Sequence, residues 1–149
     1  MRVIVQKVLS SKVTVDNEVI GSIEKGFNLL IGFCKEDTLE DLKYIGDKIL
    51  NLRVFEDQED KLNLSLLDVK GDILAISQFT LYGDCRKGRR PNFMNAMGGE
   101  DAKKLYEEFV AILKKSGLKV ETGKFGAHMK VDIVNDGPVT IMLDSKKQF

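Results

Sequence analysis

Apolar and polar positions alternate along several stretches of the chain, and this alternation predicts a sheet-rich fold. MRVIVQKV alternates over most of its length, which is typical of a β-strand with one buried face. KVTVDNEVIGSI carries Asp16-Asn17 between two β-branched runs and predicts a hairpin. GFNLLIGFC is almost continuously apolar, which indicates a strand buried on both faces.

The period of the pattern changes in two segments, and both segments are predicted to be helices. The first apolar stripe lies in EDTLEDLKYIGDKILNL and comprises Leu39, Leu42, Ile45 and Ile49. Thr38 is the predicted N-cap, with Asp41 three positions later as its acidic capping partner. The second stripe lies in EDAKKLYEEFVAILKKSG and comprises Ala102, Leu105, Phe109 and Leu113. Gly117 is predicted as the C′ residue, just past the end of this second helix.

The remaining patterns are again strand-like. LRVFE predicts a short strand, and the alternation of Leu62, Leu64 and Leu66 predicts that a polar stretch is attached to a sheet. DILAISQFTL predicts a strong strand, and LKVETG, HMKVDIV and VTIML predict three more after the second helix. We therefore expect a mixed, sheet-rich α/β fold with about eight strands and two main helices, forming one domain over residues 1–149.

Composition narrows the possible partners of the protein. Lys and Arg together number 23, and Asp and Glu also number 23, so the formal net charge is zero. No global field attracts a polyanion, and any contact with nucleic acid must come from a local basic patch.

The cysteines and the single histidine restrict the chemistry further. Cys34 and Cys85 stand far apart and predict free thiols in a reducing compartment. We find no signal peptide and no apolar run near the roughly 20 residues that cross a bilayer, so we expect a cytoplasmic protein with no membrane contact. His128 is the only histidine, which excludes a multi-histidine metal site, and we predict neither metal nor cofactor. On an extended strand, His128 shares the polar face with Lys130 and Asp132, which disfavours a Ser-His-Asp hydrolase.

The end of the strand DILAISQFTL is a first candidate site. On a strand, Ser77 and Phe79 point to one face, and Gln78 and Thr80 point to the other. Strand ends that open into loops commonly carry functional groups. The alternative is that Ser77 and Gln78 merely form hydrogen bonds to a neighbouring loop.

The basic loop CRKGRR is a second candidate. It carries four cations, Arg86, Lys87, Arg89 and Arg90. Guanidinium groups match phosphate oxygens well, and the glycine gives the loop the freedom to follow a curved polyanion. The alternative is an ordinary solvated loop.

The stretch GKFGAHMKV is a third candidate. Gly123, Gly126 and Ala127 are small, so a ligand or another backbone could approach closely. Phe125 and Met129 could form an apolar wall beside them. The alternative is a bulged entry into a strand.

The segment VDIVNDGPVTIML contains one of only two prolines. Asp136-Gly137 between two strand patterns favours a hairpin turn. A trans bond between Gly137 and Pro138 would only close a loop. A cis bond would fix two carbonyl groups in one direction on a rigid tip with almost no side chain. The sequence leaves both possibilities open.

Two long motifs, SQFTLYGDCRKGRRP and TGKFGAHMKVDIVNDGPVTIMLDS, resemble those of the bacterial and eukaryotic type of D-aminoacyl-tRNA deacylase, as does the opening MRVIVQKV. The resemblance runs from Met1 to about Ser145. It implies layered, barrel-like sheets and an ester hydrolase that frees tRNA from D-amino acids and from glycine mischarged on tRNA(Ala). It also implies a homodimer that proofreads chirality during translation without a cofactor.

The resemblance also implies roles for individual residues. Gly137 and Pro138 would form a Gly-cisPro element that reaches into the pocket of the partner subunit. The catalytic wall would comprise Ser77, Gln78, Phe79 and Thr80, and it would face Phe125, Ala127 and Met129. The basic residues Arg86, Lys87, Arg89 and Arg90 would bind tRNA. Lys7 replaces the arginine that normally supports the Gly-Pro element, which removes the planar fork of that support.

Two mechanisms follow from the resemblance. In one, Thr80 is a nucleophile and forms an acyl-enzyme. In the other, the 2′-hydroxyl of the terminal ribose assists a water molecule, and backbone amides near Phe79 stabilise the oxyanion. We favour the second, because the sequence places no histidine or lysine base beside Thr80. A non-catalytic tRNA-binding dimer of the same fold is the alternative function.

Overall fold

The computed structural model describes residues 1–149 and contains eight strands, three α-helices and one 3₁₀ turn. The strands are β1 (Arg2–Val15), β2 (Glu18–Ile23), β3 (Gly26–Gly32), β4 (Phe55–Glu56), β5 (Leu62–Leu64), β6 (Asp72–Ser77), β7 (Val120–Thr122) and β8 (Lys130–Asp144). The helices are α1 (Leu39–Asn51), α2 (Leu66–Val69) and α3 (Gly99–Lys114), and the 3₁₀ turn spans Phe79–Tyr82. The predicted α/β class is confirmed, with one short helix more than expected.

Six strands form one curved sheet in the order β2-β1-β3-β6-β7, with β8 on the other edge of β1. β1 pairs with β3 through its first half and with β2 through its second half, and it pairs with β8 along most of its length. The curvature brings β2 next to β7, where a Cβ atom added to Gly21 would lie 2.8 Å from the carbonyl oxygen of Thr122. The sheet is therefore nearly closed, as the barrel-like prediction required.

The two faces of the sheet bury different clusters. The main core lies between the sheet and the long helices, and it includes Val5, Leu29, Ile45, Phe55 and Phe109. A smaller cluster fills the inside of the curve and comprises Val8, Val13, Ile23, Leu74 and Ile76. Alternate residues of one strand thus enter different clusters, as the period of a strand requires. None of the helices is both long enough and apolar enough to span a bilayer.

The predicted N-cap of α1 is confirmed, and the predicted C′ glycine of α3 lies one residue further on, because the C-cap is Lys115. The backbone amide of Thr38 donates to the carboxylate of Asp41 at 2.8 Å, just before α1 begins. Lys146 Nζ lies 2.9 Å from the same carboxylate. Gly117 follows α3 with a φ of +81°, a left-handed conformation that favours glycine. Tyr106 and Val110 join the buried face of α3, while Leu105 is only half-buried.

Asp41→Asn is expected to lower the free energy of unfolding by about 1–2 kcal/mol near neutral pH, because α1 loses a charged cap. Burial of Asp41 opposes ionisation, but hydrogen bonds from Ser145, Lys146 and Thr38 outweigh burial and hold the pKa of Asp41 well below its ordinary value. A depressed pKa stabilises the folded state above about pH 4, and this contribution is lost as the pH falls through the folded-state pKa. The stability difference between wild type and variant should therefore shrink in acid.

Urea unfolding at one fixed protein concentration, followed by circular dichroism, measures this difference. Glu40→Gln is the matched control, because Glu40 is an exposed acid in the same first turn of α1. An equal loss of stability in both variants would show that the capping contacts of Asp41 contribute nothing specific.

The alternation of leucines misled the prediction between β4 and β6. Leu62 and Leu64 lie in β5, which pairs only with β4, but Leu66 begins the helix α2. The reason is a capping box at Ser65. The backbone amide of Asp68 donates to the Ser65 hydroxyl group at 3.1 Å, and the backbone amide of Ser65 donates to the Asp68 carboxylate. These local hydrogen bonds begin a helical turn where the alternation of side chains favoured a strand.

The strand prediction for DILAISQFTL was wrong at its end. β6 stops at Ser77, and Phe79 and Thr80 belong to the 3₁₀ turn. The expected alternation, with Ser77 and Phe79 on one face and Gln78 and Thr80 on the other, therefore does not exist. The backbone turns here because the carbonyl oxygen of Gln78 accepts from the amide of Leu81, which is the spacing of a 3₁₀ turn.

The hairpin predictions had opposite outcomes. Asp16 and Asn17 have φ values of +48° and +64° and join β1 to β2 as predicted. Asp136-Gly137 is not a hairpin, because HMKVDIV and VTIML contribute to one strand, β8. Both halves of β8 pair antiparallel with β1, and the segment between them bulges out of the ladder. The register across β1 therefore overrides the turn preference of Asp-Gly.

Candidate active site

A cavity of about 610 Å³ opens beside the end of β6. Twelve of its eighteen lining residues are hydrophobic, so the cavity offers apolar walls with a few polar groups. Such a lining is typical of a site that binds a small organic group. It contains six of the residues to which the resemblance gave a catalytic or substrate-binding role: Ser77, Gln78, Phe79, Phe125, Ala127 and Met129.

The first wall is built where β6 ends. The amide of Gln78 donates to the carbonyl oxygen of Ile31 at 2.6 Å, which extends the pairing of β3 with β6 by one bond. A Cβ atom added to Gly32 would lie 2.9 Å from the carbonyl oxygen of Gln78, so glycine permits this close approach. The first amides of the following 3₁₀ turn have no acceptor within the turn. These backbone amides are therefore able to donate hydrogen bonds to a bound oxyanion.

Phe79 and Thr80 are placed differently from one another. The side chain of Phe79 is 55% exposed and lines the cavity. Thr80 does not line it, and its hydroxyl group accepts a hydrogen bond from Nε2 of Gln78. The four residues of the predicted catalytic wall are therefore adjacent, but only three of them reach the cavity.

The opposite wall comes from the segment before β8. Phe125 lies 5.7 Å, between ring centroids, from Tyr106 of α3. The hydroxyl group of Tyr106 in turn donates to the carbonyl oxygen of Ala75 at 2.7 Å. Met129 crosses Gly123, where an added Cβ atom would lie 2.5 Å from the methionine sulfur. This wall is therefore fixed to both α3 and β6.

A third side of the cavity was missed by sequence reasoning, which gave its residues no role in the site. It comprises Phe93, Ala96, Met97, Gly98 and Gly99, together with Ala102 of α3. The Phe93 ring stands edge-on to Phe79, with centroids 5.1 Å apart. The amide of Met97 donates to the carbonyl oxygen of Phe33 at 2.8 Å and attaches the segment to the residue that follows β3. Its run of small and apolar residues just before a helix was the available signal.

His128 also lines the cavity. It is exposed, as predicted, but it precedes β8 and does not lie on a strand face. Its ring makes no hydrogen bond with Thr80 or with any carboxylate. The arrangement of a Ser-His-Asp triad is absent.

The Gly137-Pro138 segment forms the bulge of β8, which we call the tip (residues 136–139). Its Gly-Pro peptide bond is cis, and Gly137 has a φ of +120°. No residue after Val131 lines the cavity of the same chain. The tip therefore stands outside the cavity that its own chain forms.

Lys7 supports the tip from beneath. Its side chain is 1% exposed, and Nζ lies 2.7 Å from a Glu56 carboxylate oxygen and 3.5 Å from one of Asp136. The hydrogen bond from Lys7 is the main cause that lowers the pKa of Glu56. Lysine thus retains an ionic contact with the tip, although it lacks the fork of an arginine.

The basic loop is exposed throughout. Arg86 is bound to Asp84 at 2.6 Å, and this hydrogen bond holds the pKa of Asp84 well below its ordinary value. Lys87, Arg89 and Arg90 make no ion pair within the chain. Three of the four predicted tRNA-binding cations therefore remain available to a partner.

The family model described as D-Tyr-tRNA(Tyr) deacylase matches residues 4–144. The chain belongs to this deacylase family. The deacylase resembles the D-aminoacyl-tRNA deacylase of Clostridium perfringens strain SM101, with 72% identity over the full length of both chains. It is also 69% identical to the D-aminoacyl-tRNA deacylase of Clostridium botulinum strain Alaska E43, again over both full lengths. The predicted resemblance is confirmed, and with it the enzyme class, a hydrolase that acts on ester bonds.

Two solved structures resemble the deacylase closely. One is named c-Myc DNA Unwinding Element Binding Protein, with a TM-score of 0.91, 44% identity, and coverage of 97% of this chain and 98% of the other. The other is described as a probable eukaryotic D-amino acid tRNA deacylase, with a TM-score of 0.83 and coverage of 95% and 97%. At 21% identity, the second structure supports the fold alone.

Proposed function

We propose that this deacylase hydrolyses the ester bond of D-aminoacyl-tRNA as a homodimer, in which the tip of each subunit completes the cavity of the other. The observation that carries the proposal is the separation of these two parts within one chain. The cavity holds the residues of the family motif at the end of β6, but no tip residue lines it. A second copy of the chain can supply the missing side.

The outer surface of β1 and β8 suits a second copy. Leu9, Val134 and Met142 are each about half exposed, although they are large and apolar. β8 also leaves one edge unpaired, because only β1 lies beside it. Exposed apolar side chains and a long free strand edge both favour association with another protein surface.

The proposed chemistry needs little from the side chains, because an aminoacyl ester is already reactive. A water molecule attacks the ester carbonyl carbon, and the negative charge that forms on the carbonyl oxygen is stabilised by amides of the 3₁₀ turn around Phe79. The 2′-hydroxyl of the terminal ribose assists the water, and the 3′-oxygen leaves with the tRNA. The position of Thr80 outside the cavity supports this mechanism over an acyl-enzyme.

Thr80→Val is therefore expected to keep kcat within about tenfold of wild type, because the hydroxyl group bonds to Gln78 and does not face the cavity. Single-turnover hydrolysis of D-Tyr-tRNA measures this. Mass spectrometry of the acid-quenched protein during turnover should show no acyl adduct. A loss of several orders of magnitude, with tRNA binding intact, would make Thr80 the nucleophile.

The tip would select for chirality by exclusion. Rejecting an L-aminoacyl group about 1,000-fold requires roughly 4 kcal/mol, which a clash with a fixed backbone can supply. A filter of this kind admits D side chains broadly. Glycine has no side chain to exclude, so the proposal includes cleavage of glycyl-tRNA, such as glycine mischarged on tRNA(Ala).

The three unpaired cations of the basic loop would hold the tRNA backbone. Replacing Lys87, Arg89 and Arg90 together with glutamine is expected to raise KM about tenfold and to leave kcat unchanged. The slope of log affinity against log salt concentration should fall by about 2, because three single-strand phosphate contacts are lost. Arg86→Gln is the control and should have a smaller effect, since Arg86 is already paired with Asp84. An unchanged salt slope in the triple variant would remove the loop from the tRNA interface.

The decisive experiment compares release of tyrosine from D-Tyr-tRNA and from L-Tyr-tRNA by the purified protein. We expect the D ester to be cleaved about 1,000-fold faster, and sedimentation analysis to give a dimer. Failure to exceed spontaneous hydrolysis of the D ester, with tRNA still bound, would favour the alternative function, a non-catalytic tRNA-binding dimer.

A further inference from the structure

The tip leaves the β1–β8 ladder abruptly. Gln6 is opposite Thr140 and Val8 is opposite Asn135, so the four tip residues stand against Lys7 alone. Most backbone groups of the tip therefore have no partner in the ladder. Something other than strand pairing must fix the direction in which the tip projects.

Asn135 closes the neck of this bulge. Its Nδ2 donates to the carbonyl oxygen of Lys7 at 2.8 Å and to the carbonyl oxygen of Val139 at 2.9 Å. One carboxamide thus uses both of its N–H groups to join β1, the start of the tip and the end of the tip. Both bonds have good donor–acceptor distances for N–H to O hydrogen bonds.

The other anchor of the tip is weaker. Lys7 Nζ is 3.5 Å from the carboxylate of Asp136, and that side chain is 38% exposed. Lys7 Nζ also makes its shorter contact elsewhere, with Glu56. An ion pair with an exposed partner constrains geometry poorly, whereas two short hydrogen bonds from a single amide fix both ends of the bulge.

We propose that Asn135 is a positioning residue for the tip, and that its two hydrogen bonds set how strongly the enzyme rejects L-aminoacyl groups. The proposal rests on the proposed function, in which the tip is the chiral filter. Asn135 acts through the backbone of residues 136–139 and does not itself contact the substrate. The amide is required because a carboxylate of the same shape would present an oxygen, not a donor, to two carbonyl oxygens.

The test is Asn135→Asp, read out as the ratio of kcat/KM for D-Tyr-tRNA to that for L-Tyr-tRNA. We expect the ratio to fall at least tenfold, and the melting temperature to fall by a few degrees because two part-buried hydrogen bonds are lost. A purely structural role would lower stability without changing the ratio. Asn51→Asp is the matched control, because Asn51 Nδ2 also donates to a backbone carbonyl, that of Asp47, on the exposed face of α1, and it makes no hydrogen bond with the tip. It should leave the ratio unchanged.

Two additions keep the outcome clear. Asn135→Ser retains one short donor and should give an intermediate ratio if the aspartate variant does not fold. Amide hydrogen exchange of residues 136–140 reports on anchoring without any substrate, and we expect faster exchange in Asn135→Asp. Unchanged exchange, or an unchanged ratio in a folded variant, overturns the role of Asn135. Absence of D-Tyr-tRNA cleavage by the wild type, with faster exchange in the variant, would instead overturn the proposed function and keep the anchor.

Discussion

Gly137→Ala is expected to lower kcat/KM for D-Tyr-tRNA at least about 100-fold, which corresponds to roughly 2.7 kcal/mol of lost transition-state stabilisation. Gly137 has a φ of +120°, a conformation that residues with a Cβ atom rarely adopt. An added Cβ atom would also lie 2.8 Å from a methyl group of Val139 and 3.1 Å from the amide nitrogen of that residue. The tip must therefore change shape, and the cavity that it completes changes with it.

Gly117→Ala is the control variant, because it introduces backbone strain without changing the active site. Gly117 also has a positive φ, +81°, but nothing lies within 4 Å of a Cβ atom added there. It follows α3 and lies outside the cavity, so its variant should lose stability and keep activity. Steady-state kinetics and thermal melts of both variants make the comparison. Equal activity in the two would show that the tip has no part in catalysis.

The second large effect is expected from filling the cavity. Ala127→Phe should lower kcat/KM for D-Tyr-tRNA by about 1,000-fold or more, since an aromatic ring would occupy space that the substrate needs. Ala127 lines the cavity and is only half-buried, so the ring can enter the cavity without displacing the main core. We therefore expect a folded protein whose melting temperature is close to that of wild type.

Ala111→Phe is the control for this substitution. Ala111 is exposed on α3 and does not line the cavity. The same change of side chain should leave its kinetics unaltered. Near-normal activity of Ala127→Phe would mean that the substrate binds elsewhere, for which a fluorescent adenosine ester titrated against both variants offers an independent check.

Local sequence patterns predicted much of the fold, because helix caps, turns and amphipathic stripes depend on interactions between residues close together in the chain. The Thr38 cap of α1 and the Asp16-Asn17 hairpin depend on neighbours within a few residues, and both were correct. The stripe of α1 was correct at Leu42, Ile45 and Ile49, which are buried, but Leu39 in the first turn is 45% exposed. The motifs around Ser77 and Phe125 were also found, and they line one cavity.

The errors arose where distant contacts decide the structure. Asp136-Gly137 has the composition of a turn, but β1 is long enough to hold both halves of β8, and no local pattern reveals that length of pairing. Phe93 was missed because its role depends on Phe79, which is fourteen positions away and meets it only after the chain turns back. The burial of Lys7 against Glu56, which lies 49 positions away, likewise depends on the fold and on no local pattern.

Because the tip lies outside the cavity of its own chain, the activity of the protein depends on its concentration. Under the proposed arrangement an isolated subunit has a cavity that lacks the tip, and a complete active site forms only when two subunits associate. By mass action, the concentration of complete active sites falls with the square of the subunit concentration once the protein is diluted well below the dissociation constant of the dimer. A cell that made too few copies would lose deacylase activity more than in proportion to the missing protein. A subunit with a damaged tip would inactivate the active site of the subunit that it joins.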